Sequence, residues 1–91
     1  MAKKLILHGR VQGVCCRAYC SQYARKLGIR GAASNRADGT VRVLLDTTDS
    51  ELVNRYIDEI RMNPDGFSFY GRIQSIDVSD FDGIITGDYR F

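Results

Sequence analysis

Apolar positions along this chain alternate between a period of two and a period near three and a half, and the changes of period mark its elements. The short run Leu5-Ile6-Leu7, within Lys4 to His8 and ending at Gly9, predicts a buried strand. Cys16, Cys20, Ala24 with its neighbour Tyr23, and Leu27 then recur at steps of four, four and three. That spacing stacks them on one face of a helix and leaves Ser21, Gln22, Arg25 and Lys26 for the wet face, with Gly28 as the stop.

Ile29 to Arg36 is assigned as a second strand, although Gly31, Ala32, Ala33 and Ser34 carry little β-propensity. The turn Arg36-Ala37-Asp38-Gly39 ends in an Asp-Gly pair suited to positive φ. Val41, Val43 and Leu45 alternate with Arg42 and Leu44 after it, which predicts a hairpin. Thr48-Asp49-Ser50-Glu51 reads as a capping box with Thr48 as the cap. The helix it opens has Leu52, Val53, Tyr56, Ile57 and Ile60 as its apolar stripe and Arg55, Asp58, Glu59 and Arg61 as its wet face, and it ends at Asn63-Pro64. Asp65 to Gly71 is a loop whose Phe67 and Phe69 are expected to plug a core edge. Arg72 to Asp80 reads as a strand with Ile76 and Val78 as its firm apolar positions, and Ile84 to Phe91 as a last short strand.

The order strand, helix, strand, strand, helix, strand is the βαββαβ arrangement. The expected fold class is therefore α+β, a ferredoxin-like sandwich with an antiparallel sheet and two helices on one face. Ninety-one residues suit one domain, 1–91, and too little chain remains for a second core.

Composition narrows the functional classes. With 44% hydrophobic and 26% charged residues the chain has the make-up of an ordinary globule. A net charge of +2, spread rather than clustered, argues against a nucleic-acid partner and leaves a small anion as the better electrostatic match. No apolar run is long enough to span a bilayer, and Met1-Ala2-Lys3-Lys4 with Leu5-Ile6-Leu7 lacks the apolar region of a signal peptide. Cys15, Cys16 and Cys20 are odd in number and crowded, a poor disulfide framework that fits a reducing compartment. A cytoplasmic location with no membrane partner is expected. The cysteines with the single His8 match no usual zinc pattern, so no metal is expected.

The stretch Gly9-Arg10-Val11-Gln12-Gly13-Val14-Cys15-Cys16-Arg17 runs from a strand through a glycine-bearing loop into a helix. Unpaired N–H groups at a helix start, with the positive end of the helix dipole behind them, suit an anion, and Arg17 adds a planar fork of charged donors. An ordinary strand-to-helix turn with a solvated arginine fits the same residues. Topology adds a second element, because the loop, the first turn of the helix and the late second-strand residue Asn35 should meet at one end of the sheet.

Gly9-x-Val11-Gln12-Gly13-Val14-x-x-Arg17, followed by Ala24-x-x-Leu27-Gly28-x-x-Gly31-x-x-x-Asn35-x-x-Asp38-Gly39-x-Val41, resembles the acylphosphatases. The resemblance implies metal-free hydrolysis of an acyl phosphate to a carboxylate and inorganic phosphate, without a cofactor. It further implies that the loop backbone at Arg10, Val11, Gln12, Gly13, Val14, Cys15 and Cys16, together with Arg17, holds phosphate, and that Asn35 orients the attacking water. Arg17 and Asn35 are then the catalytic pair and a small-molecule acyl phosphate the partner; the oligomeric state is open, with a monomer expected. Cys16 stands where the family usually has an aromatic residue and Ala33 where it has a larger apolar one. Both changes remove volume, at a typical cost of about 2–5 kcal/mol unless neighbours refill it, a role suggested for Phe67 or Phe69. The stretch Asp46-Thr47-Thr48 lacks the usual glycine, and Asn63 to Gly71 differs from the family's compact turn.

Two other readings compete. A thiol phosphatase would resemble Cys-x5-Arg, whereas Cys15 and Cys16 sit beside Arg17 and the step from Cys20 to Arg25 is one residue short. A non-catalytic anion- or RNA-binding module on the same fold would use Tyr19, Tyr23 and Tyr56 as stacking surfaces, although their helical spacing suits a core.

Overall fold

The first strand runs well beyond its apolar centre: β1 spans Ala2–Arg10 in the computed structural model, which describes residues 1–91. Its polar flanks are drawn into the ladder because β1 is paired on both sides. The remaining elements are α1 (Cys16–Lys26), β2 (Gly31–Asn35), β3 (Val41–Leu45), α2 (Ser50–Met62), β4 (Arg72–Phe81) and β5 (Tyr89–Arg90). The strands form one antiparallel sheet in the order β4-β1-β3-β2-β5. This is the expected ferredoxin-like α+β sandwich with a short fifth strand added at the β2 edge.

Alternate strand residues Leu5, Leu7, Ala33, Val41, Val43 and Leu45 turn to one face and join α1 and α2 in a single apolar cluster. Buried phenols tie the helices together. Tyr19 donates to the Ile60 carbonyl oxygen at 2.7 Å, and Tyr56 donates to that of Cys20 at 2.9 Å. Phe69 stacks on Tyr19 with ring centroids 4.5 Å apart, and Phe67 meets the Tyr23 ring edge-on. The two loop phenylalanines thus close the core beside α1, as their position in the sequence suggests.

The opposite face of the sheet is covered by the chain itself. Leu44 has no accessible surface although it alternates away from the helices. The segment between β4 and β5 crosses there as a strap: Arg42 donates to the Thr86 carbonyl oxygen at 3.2 Å, and Gly87 lies against Ala32 and Ser34, where a Cβ would come within 2.6 Å of the Ser34 hydroxyl. Of the strand expected over Ile84 to Phe91, only the end pairs, Tyr89–Arg90 as β5 and Phe91 through reciprocal N–H to carbonyl bonds with Gly31 at 3.0 Å, because the preceding residues cross the sheet instead of extending it.

Several local expectations are corrected. The α2 cap is Asp49, not Thr48: the Asp49 carboxylate accepts the Leu52 N–H at 3.1 Å, and its charge suits the positive end of the helix. Ser21 is buried because its hydroxyl donates to the Ala18 carbonyl oxygen within the helix. Glu59 is buried because Lys26 and Arg55 pair with its carboxylate. Val78 is 49% exposed, since β4 is the sheet edge and the helices do not cover it at that point. Gly28 does end α1: its N–H donates to the Arg25 carbonyl oxygen and that of Ile29 to Ala24, a Schellman closure with Gly28 at φ 72°.

The corrected cap is directly testable. Asp49→Ala is expected to lower the unfolding free energy by about 1 kcal/mol in urea, whereas Thr48→Ala should stay within about 0.5 kcal/mol of the parent.

Candidate anion site

Between β1 and α1 the backbone leaves a continuous run of its own donors unused. From Val11 to Ala18 no N–H finds an acceptor in the protein; the first helical bond is Tyr19 N–H to the Cys15 carbonyl oxygen at 2.9 Å. The local backbone turns sharply within this run. Gly13 (φ 73°) and Cys15 (φ 65°) are left-handed on either side of Val14, which is not, and such alternation turns successive amides into one concavity. Cys15 is the non-glycine cap of α1 and offers no side-chain bond to the helix start, so those amides stay available.

The loop is held from three sides. Gly9 sits at a register shift between β1 and β4, where a Cβ would lie 2.4 Å from the Arg72 carbonyl oxygen, so the strand exit accepts only glycine. The Val14 carbonyl oxygen accepts the Tyr70 N–H at 3.2 Å, and the Val14 side chain is buried. Gln12 forms the third tie, its side-chain amide donating to the carbonyl oxygens of Arg36 at 2.7 Å and Thr40 at 2.9 Å. This clasp fixes the loop to the β2–β3 hairpin directly beside Asn35. The hairpin turn is itself closed by Gly39 N–H to the Arg36 carbonyl oxygen, and of the Asp-Gly pair only Gly39 has positive φ. Asp38 accepts both the N–H and the hydroxyl of Thr40, which hold its carboxyl below the usual carboxylate range.

These elements enclose a small open cavity of about 140 Å³. Val11, Gly13, Cys15 and Cys16 line the loop side, with Arg17 and Ala18 from the first turn of α1. Asn35, at the end of β2 and in register with Val41, faces them, and Tyr89 of β5 completes the wall. Arg17 and Asn35 therefore share one cavity, as the topology suggested. Arg10, Gln12 and Val14 are not among its lining residues: Arg10 lies in the β1–β4 ladder, the Gln12 side chain serves the clasp, and that of Val14 enters the core.

Sequence reasoning missed two neighbours of the site, Tyr89 and Asp88. Asp88 Oδ2 lies 3.5 Å from Arg17 Nη1, and the Asp88 N–H donates to the Ser34 hydroxyl at 3.0 Å. Nothing in the local pattern of residues 84–91 signals that the chain crosses the sheet to reach this end. Of the cysteines, Cys20 is buried with its Sγ 3.9 Å from that of Cys16; this contact and its burial push its thiol well up, away from the thiolate a nucleophile needs. Tyr19, Tyr23 and Tyr56 are buried, so they offer no stacking surface to a base.

The acylphosphatase family model matches residues 3–90. An acylphosphatase of Cupriavidus pinatubonensis is 58% identical over 45 residues, half of each chain. One of Deinococcus radiodurans is 36% identical over 80% of this chain and 78% of its own, and one of Picrophilus torridus 39% identical over 85% of each. Among solved structures, the Bacillus subtilis acylphosphatase superposes with a TM-score of 0.74 at 24% identity over 94% of this chain and 93% of its own. At that identity the likeness concerns the fold.

Two outcomes test the scaffold. Gln12→Ala should lower stability by about 1–2 kcal/mol in chemical denaturation, the usual range for losing hydrogen bonds of this kind. The Asp38 contribution is present above the ordinary carboxylate pKa and is lost as pH falls through its lowered folded value; Asp38→Asn should therefore flatten the acid limb of a stability–pH curve.

Proposed function

The chain belongs to the acylphosphatase family, whose activity is hydrolysis of acyl phosphates to carboxylate and inorganic phosphate, and we propose that it performs this reaction with main-chain amides, one guanidinium and one carboxamide. The observation that carries this reading is the run of unpaired N–H groups from Val11 to Ala18, of which Val11, Gly13 and Cys15 to Ala18 belong to residues lining one cavity with Arg17 and Asn35. The amides and the Arg17 guanidinium receive the phosphoryl oxygens, and Asn35 holds the water in line for attack on phosphorus.

The chemistry asks little more of the protein. A water oxygen bonds to phosphorus as the bond from phosphorus to the acyl oxygen breaks, and the carboxylate leaves without needing a proton. The proton released from water passes to a phosphate oxygen, since a carboxamide is too weak a base to keep it. In phosphoryl transfer the protein chiefly positions the reactants and stabilises charge on the phosphoryl oxygens, and that is what these donors offer. The reading assigns residues 1–91 to one catalytic domain. It places the protein in the cytoplasm, supported by three free cysteines; no helix is long and apolar enough to cross a membrane.

With benzoyl phosphate as substrate, Arg17→Ala is expected to abolish phosphate binding and turnover together. Asn35→Ala should leave phosphate binding near its parent value and lower kcat by about 10²-fold, the scale of a misplaced reactant. Inorganic phosphate should inhibit competitively, and EDTA should leave the rate unchanged. Near-full activity in Asn35→Ala contradicts the water-holding role.

A further inference from the structure

Arg17, the side chain that the reading above assigns to the phosphoryl group, already faces an anion of the chain itself. Asp88 Oδ2 stands 3.5 Å from Arg17 Nη1, with the two side chains 54% and 39% exposed. The carboxylate has arrived there by construction. The Arg42 bond to Thr86, the seat of Gly87 against Ala32 and Ser34, and the Asp88 N–H bond to the Ser34 hydroxyl fix its backbone at the end of the strap. Only its side-chain torsions are left to move.

We propose that Asp88 is an internal anion that the phosphoryl group displaces from Arg17, and that it thereby sets how weakly the site holds free phosphate. This rests on the assignment of Arg17 to phosphate. An ion pair this exposed is too weak to act mainly as a brace for the arginine. Its charge is a different matter, because a phosphoryl group on Arg17 carries like charge to within a few ångströms of the carboxylate. Substrate and product present the same phosphoryl oxygens to the same amides, so the product is retained wherever the substrate is gripped. Binding strength common to both lowers KM without raising kcat. A competing carboxylate loosens that common grip and favours release of inorganic phosphate.

Calorimetric titration with inorganic phosphate, on the parent, Asp88→Asn, Arg17→Ala and the double variant, decides the matter by sign. Asp88→Asn should tighten phosphate binding by about fivefold, with KM for benzoyl phosphate falling by a similar factor and kcat not rising. Asp88→Ser, a second small polar replacement, should change binding in the same direction. In the Arg17→Ala background, where phosphate binding is expected to be lost, Asp88→Asn should not restore it. Unchanged or weaker phosphate binding in either Asp88 variant overturns the proposal, and a weakening marks Asp88 as a brace. Unweakened phosphate binding in Arg17→Ala overturns instead the assignment of the guanidinium to phosphate.

Discussion

A backbone N–H is a donor that folded chains nearly always pair, and this chain leaves every one from Val11 to Ala18 without a protein acceptor. The surrounding structure depends on keeping that run open and aimed one way. A helix start supplies some of these groups without distortion. The rest require left-handed backbone at Gly13 and at Cys15, and a non-glycine residue in that region costs of order 1 kcal/mol or more. The clasp from Gln12, the Gly9 register shift and the Val14 anchor are what hold such a loop in place.

The fold serves this loop by topology. Antiparallel pairing places Leu7 of β1 and Asn35 of β2 opposite the same β3 residue, Val41, so the exits of both strands lie at one end of the sheet. The α1 start opens at that end, and one buried phenol from each helix ties α1 to α2, leaving the cavity resting on core instead of on a loose loop. The strap returns the chain tail to the same end across the other face of the sheet, bringing Tyr89 to the cavity wall and Asp88 to Arg17. A cation, Arg17, and an anion facing it, Asp88, thus meet at that end of the sheet.

Much of this was legible in the residues. The period of Cys16, Cys20 and Ala24 identified α1, and Gly28 closes it in the expected way. The strand–loop–helix pattern around Gly9 to Arg17 singled out the loop whose amides stay unpaired, and element order alone brought Asn35 to the same cavity as Arg17. What escaped the sequence was long-range or competitive. Thr48 and Asp49 are both good caps, and only the geometry of the chain leaving β3 selects Asp49. Ser21 and Glu59 look like surface residues until their partners, the Ala18 carbonyl and the Lys26 and Arg55 cations, are known. The strap has no period of its own. Its course depends on the uncovered outer face of β3 and β2, where Leu44 and Ala32 need cover, and hence Asp88 was invisible as a neighbour of Arg17.

The account stands or falls on where an oxyanion meets the backbone. The most direct measurement is an ¹⁵N-resolved NMR titration of the protein with inorganic phosphate, following every amide. The account predicts that the amide resonances of Val11 to Ala18 shift together and saturate with one common dissociation constant. Saturable shifts confined to other segments, with this run unmoved, would contradict it.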